Sequence, residues 1–219
     1  MGVLTAFGRR SGLLRWEGSD EEIFDMQTTN DSGVWPRYSR GQRVVHWLVA
    51  VLVLGALGLG GTIGWFGFEG LQARFGEDAT NTIYTWHKSF GVLILALMLV
   101  RIGLRLRHGK PPYAVALARW QRIGSEVVHG LLYVLLIVMP VIGWWATAAG
   151  GYPVQLGPLI LPGLFPENEA LSEILFGWHQ ALGMAILILA LGHIAVALFH
   201  WRVRRDGVMQ RMTFGSARR

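Results

Sequence analysis

Trp178-His179-Gln180-Ala181-Leu182-Gly183-Met184-Ala185-Ile186-Leu187-Ile188-Leu189-Ala190-Leu191-Gly192-His193 carries no charged residue between its two histidines. The apolar stretch around it, about Ile174–Phe199, is long enough to cross a hydrocarbon core of roughly 30 Å as one helix. Histidine is costly in that solvent, so a histidine inside a span is a functional candidate by default. His179 and His193 are 14 residues apart, close to four full turns. Both imidazoles therefore leave the same helix face, separated by roughly 21 Å along the axis.

Three more stretches of this kind precede it, at about 44–65, 84–104 and 124–145, with Pro111-Pro112 and a Gly150-Gly151-Tyr152-Pro153 cluster among the breakers between them. The chain of 219 residues is 52% hydrophobic and only 16% charged, with a mean hydropathy of +0.38, where a soluble domain carries about 25% charge. The expected fold class is an all-α membrane protein, a four-transmembrane-helix bundle. Of twenty Lys and Arg, six precede the first span, six surround the second connection and six follow the last span. Arg74 and Lys88 alone fall on the other side, with Glu69, Glu77, Asp78, Glu167, Glu169 and Glu173. Basic residues accumulate on the cytoplasmic side, so both termini are expected there, and the net charge of +6 reads as topology rather than as a nucleic-acid footprint.

The chain has no cysteine, which excludes disulfides, iron–sulfur clusters, thiolate metal sites and covalent haem attachment. Two same-face histidines at opposite depths suit a helix that gives one axial ligand to each of two stacked haems, and the second ligands must then be histidine as well. His46, at the cytoplasmic start of the first span, shares a level with His193. His87, at the opposite start of the second, shares one with His179. His129 on the third span is the alternative ligand for the cytoplasmic haem, or a partner for a propionate or quinone. Glu126 three residues earlier suggests a di-iron pattern, but the spans lack the further carboxylates which that site needs.

The motif W-H-x-x-(F/L)-G recurs at Trp86–Gly91 and Trp178–Gly183. Gly91 and Gly183 lie one turn beyond the histidines, where a flat porphyrin could approach the backbone. Gly60 and Gly143, 14 residues after His46 and His129, are expected on faces directed at the distal haem, and both also suit close helix packing. Arg101, 14 residues after His87, falls at the depth of the cytoplasmic haem, as a propionate partner or as a snorkelling interfacial cation.

Tyr38-Ser39-Arg40, His46-Trp47, His87 ahead of the run to Arg101, His129 through Tyr133 to Pro140-Val141-Ile142-Gly143, Trp178-His179 and His193 together resemble the bacterial cytochrome b561 family. These are four-helix di-haem membrane cytochromes related to the cytochrome b subunits of nickel–iron hydrogenases and formate dehydrogenases. The resemblance spans about residues 38–212. It implies two non-covalent b haems, His46 and His193 as ligands of the cytoplasmic one and His87 and His179 of the periplasmic one, electron exchange with quinone, and a multi-pass place in the bacterial inner membrane. It allows a homodimer or a redox partner protein.

Quinone-site candidates are His129, Arg101, Arg105 and His200 at the cytoplasmic end, and Lys88 and Trp86 at the other. Residues 1–37 form a cytoplasmic extension, with an acidic stretch from Glu17 to Asp25, that reads as a disordered tail or a docking segment. Residues 213–219 form a basic tail. A haem-bearing anchor of a larger respiratory complex is the alternative function. A histidine-based proton or metal transporter is the rival from another class, though it would not need the paired 14-residue spacing.

Overall fold

The computed structural model describes residues 35–113, 115–163 and 166–215. The acidic stretch and most of the N-terminal extension lie outside the described residues, as do the last four residues. The elements are α1 (Arg40–His108), α2 (Arg119–Ala149), a hairpin of β1 (Val154–Leu156) and β2 (Leu159–Leu161), and α3 (Glu169–Phe199). A π-helical turn at His200–Arg204 and a 3-10 turn at Met209–Arg211 follow.

Helix α1 starts where Ser39 Oγ accepts from Gln42 N–H and the Gln42 side chain accepts from Ser39 N–H, a reciprocal capping box. Its 69 residues do not run straight. Non-helical backbone at Gly67 (φ 66°) and Gly76 (φ 81°) interrupts it with torsions that only glycine adopts freely. Contacts show that the two arms, 40–66 and 77–108, run antiparallel. Gln42 Nε2 donates to the Leu104 carbonyl at 3.4 Å, Arg101 reaches His46 at 2.6 Å, and His87 meets the Ala56 carbonyl at 3.1 Å. In an unbroken helix residues 46 and 101 would lie roughly 80 Å apart.

Among the described residues, three continuous helices are long and apolar enough to cross a membrane, where the sequence suggested four separate helices. The first two expected spans both fall inside α1, because the linker between them stays largely helical instead of opening into a loop. The helix-only expectation also misses the hairpin. Its strands are three residues each, paired Val154 to Leu161 and Leu156 to Leu159, too short for a periodic signature and set among glycine and proline.

The buried core is narrow. Val45, Val49, Val53, Ile94, Met98 and Ile186 form it, drawn from both arms of α1 and from α3. Apolar side chains elsewhere face outward, Val51 at 67%, Ile188 at 64% and Trp65 at 83% exposure. A soluble protein would hide such a surface, whereas lipid is its natural solvent. Helices α2 and α3 pack along one another and are tied at one end by Ser172 Oγ, which donates to the Ala146 carbonyl at 2.8 Å.

Candidate functional site

Five of the seven histidines gather at two levels. At the end that carries the hairpin, the His87 and His179 ring centres are 5.9 Å apart with planes at 83°. At the other end, where the first and last described residues meet, His46 and His193 are 6.3 Å apart at 85°. The antiparallel arms put His87 opposite His46 in depth, and the 14-residue spacing on α3 does the same for His179 and His193.

The hairpin-end pair is held by a device used twice. His87 Nδ1 lies 3.1 Å from the Ala56 carbonyl, and His179 Nδ1 lies 3.2 Å from the Met139 carbonyl. Four residues beyond each carbonyl stands a glycine, and a Cβ on Gly60 or Gly143 would fall 2.8 Å from Cε1 of His87 or His179 respectively. Missing side chains at these two positions let a second helix present an imidazole to a carbonyl already used within its own helix. A ring that donates from Nδ1 to a carbonyl keeps the Nε2 lone pair for a metal. Gly91 has no heavy atom within 4 Å of its would-be Cβ, and Gly183 faces Met139 Cε at 3.3 Å.

The other level is more crowded. His129 approaches His193 to 5.0 Å between ring centres, and its Nδ1 lies 2.5 Å from the Ser125 carbonyl. Arg101 donates through Nε to Tyr133 Oη at 2.9 Å and through a terminal nitrogen to His46 Nδ1 at 2.6 Å. A guanidinium can only donate, so His46 accepts at Nδ1 and carries its proton on Nε2, the opposite tautomer to His87 and His179. Arg105 reaches Tyr38 Oη at 3.4 Å. Glu126, the carboxylate near His129, pairs instead with Lys110 at 3.6 Å on the surface.

Two axial metal–nitrogen bonds of about 2 Å each, with about 1.2 Å from each nitrogen to its ring centre, set ligating imidazole centres about 6.4 Å apart. The pairs at 5.9 and 6.3 Å match that span, and the His129–His193 pair at 5.0 Å is tighter. Ring spacing therefore fits a b haem at both levels. Tautomer fits it at the hairpin end directly, and at the other end once Arg101 releases His46.

A floor of arginines closes the terminal end. Arg43 donates to the Thr213 carbonyl at 2.7 Å, Arg211 bonds the Pro111 carbonyl and lies over the Tyr113 ring at 4.2 Å, and Trp47 Nε1 donates to the Met212 carbonyl at 2.9 Å. His200, on the π-helical turn, is buried, its Nδ1 2.6 Å from Asp206 Oδ2. Sequence reasoning singled out His200 but missed Asp206, because their contact depends on the π-helical turn and on the left-handed Arg205 (φ 51°) that follows it. The neighbouring Gly207 (φ 81°) was the one available sign of a tight turn.

At the hairpin end, Lys88 donates to the Pro153 carbonyl at 2.9 Å, and the Trp86 ring is half exposed beside it. Ser89 accepts from Gly157 N–H at 2.8 Å and donates to the Thr85 carbonyl at 2.7 Å, so the hairpin is clamped next to His87. Ser89→Ala is expected to cost about 1 kcal/mol at this buried site and to speed amide exchange at Gly157 without altering the His87 spacing. Hydrogen exchange on the hairpin checks this, and unchanged exchange would show that the clamp lies elsewhere.

Comparison with known proteins supplies the remaining finding. A family model described as prokaryotic cytochrome b561 matches residues 37–215. A probable superoxide oxidase of Yersinia pestis is 31% identical over 179 residues, covering 80% of this chain and 95% of the relative. Cytochrome b562 of Cereibacter sphaeroides is 30% identical over 177 residues, 81% of this chain and 95% of that protein. Cytochrome b561 homolog 1 of Escherichia coli is 23% identical over 177 residues, covering 80% and 96%.

Proposed function

The chain belongs to the prokaryotic cytochrome b561 family of membrane electron-transfer proteins, and from that premise we propose that it carries electrons across the bacterial inner membrane to or from quinone. In this reading the arms of α1 with α2 and α3 make a four-helix bundle around two b haems, both termini face the cytoplasm, and the hairpin faces the periplasm. His87 and His179 hold one haem, and His46 and His193 hold the other. The observation that carries the reading is the pair of imidazole couples at 5.9 and 6.3 Å, set about 21 Å apart along α3.

Bound there, haem supplies a reversible one-electron centre, and the protein's part is to position and tune it. Ala56 and Met139 fix the His87 and His179 tautomer by accepting from Nδ1. Arg101, half-buried beside Tyr133, offers a guanidinium for a propionate, and moving to one would free His46 Nδ1 to carry the proton its ligand role requires. Ligation of each haem by two histidines would leave no coordination position open, which favours electron transfer over oxygenation.

The relative named a probable superoxide oxidase brings in superoxide as a donor, which becomes dioxygen on giving up one electron. Lys88, next to His87 at the hairpin end, is the cation that favours an anionic donor there.

The test uses protein in nanodiscs with reduced haems, mixed with ubiquinone or menaquinone. Rapid reoxidation with quinol formed is the expected result. Haems that stay reduced in the presence of either quinone would overturn the quinone assignment.

A further inference from the structure

His46 and His193 stand on two helices that touch sparingly, α1 and α3, while α3 packs along α2. At the hairpin end the Ala56 and Met139 carbonyls hold the paired rings. Among the described residues no backbone carbonyl does this for His46 or His193. What joins their helices at that level is the segment after α3. Left-handed backbone at Arg205 (φ 51°) and Gly207 (φ 81°) turns the chain back, and residues 205–215 then lie on the start of α1.

Side chains near His46 grip the backbone of that segment. Arg43 donates to the Thr213 carbonyl at 2.7 Å, and Trp47 Nε1 donates to the Met212 carbonyl at 2.9 Å. Tyr38 N–H donates to the Arg211 carbonyl at 3.2 Å, and Arg37 to the Gly215 carbonyl at 2.7 Å. The Arg211 side chain continues to the Pro111 carbonyl and the Tyr113 ring. Arg43 and Arg211 are 8% and 6% exposed, so these are interior ties. Arg43 is three residues before His46, one turn outward on nearly the same face, and Trp47 is its neighbour in sequence. A single strap thus runs from the helix of His193 to within one turn of His46. A segment tied by a few side-chain bonds opens locally more readily than a packed core does.

We propose that residues 205–215 are a haem-retaining strap, with Arg43 and Trp47 as the positioning residues that dock it. Closed, the strap keeps His46 and His193 at ligating distance. Open, it lets the haem at that end leave or enter. The inference rests on the two-haem reading above. Haem and strap bridge the same two helices, so each stabilises the other's bound state. The haem at the hairpin end has its own carbonyl supports and does not depend on the strap.

The test uses the full chain, haem-loaded in nanodiscs, with excess apomyoglobin as acceptor, and follows haem transfer by its visible spectrum. Trp47→Phe removes the indole donor and keeps a ring, and is expected to speed loss of the terminal-end haem about 5-fold, the effect of one hydrogen bond. Arg43→Gln, which loses a charge-assisted bond, is expected to speed it about 10-fold or more. In a His193→Ala background, which is expected to keep the hairpin-end haem alone, Trp47→Phe should leave the transfer rate unchanged. Reciprocally, His193→Ala should speed hydrogen exchange at the Tyr38 amide, which the docked strap protects. Parental transfer rates in both strap variants would overturn the proposal, and so would equal acceleration for both haems, which would mark a general loosening. A parent that binds one haem and keeps it in His193→Ala would instead remove the two-haem reading, and this inference with it.

Discussion

His193→Ala is expected to purify with one haem per chain, against the two expected for the parent. His193 is the histidine that the terminal-end cluster cannot replace. It lies 6.3 Å from His46 and 5.0 Å from His129 between ring centres, so each candidate pairing at that level includes it. His46→Ala should show the same loss, and His129→Ala should keep both haems with a changed potential, since its Nδ1 is tied to the Ser125 carbonyl at 2.5 Å. Haem-to-protein ratios from pyridine haemochrome spectra decide the matter. A His129→Ala protein that loses one haem while His46→Ala keeps two would transfer the ligand role to α2.

Gly143→Ala should weaken haem binding at the hairpin end by about 10–100-fold, the loss usual when a ligand's supporting contact is removed. The added methyl would sit 2.8 Å from His179 Cε1, so the ring must move off the Met139 carbonyl that it meets at 3.2 Å. Relaxing one contact breaks the other, because a single helix provides both. Gly60→Ala should do the same through His87 and Ala56. Gly61→Ala, next to Gly60 on the exposed side of the helix, is the control, with open space where its Cβ would go. Haem titration of the three variants gives the comparison, and unaltered affinity in Gly143→Ala would mean that the helices part easily enough to make the glycine incidental.

The spacing of His179 and His193 was legible because helical period and bilayer thickness fix depth and face together. The same arithmetic put Gly60 and Gly143 on faces directed at the distal haem, with close helix packing as the compatible reading, and did not show what they pack against. Contacts show that the space admits the imidazoles themselves. Arg101 was legible in depth and not in partner. A 14-residue offset from His87 locates its level, whereas its bonds to His46 and Tyr133 depend on how the arms of α1 face α2. The helical character of the stretch between Gly67 and Gly76, the short hairpin and the His200–Asp206 contact stayed hidden for one reason. Each depends on a few torsions or a long-range docking, and none repeats along the chain with a period.

The central claim is that four histidines hold two haems in six-coordinate sites. Low-temperature electron paramagnetic resonance of the oxidised, purified protein, taken with its haem content, tests it most directly. Two haems per chain, both low-spin with bis-histidine signals, are predicted. A haem-free protein, or a high-spin signal from a haem with one ligand, would contradict the account.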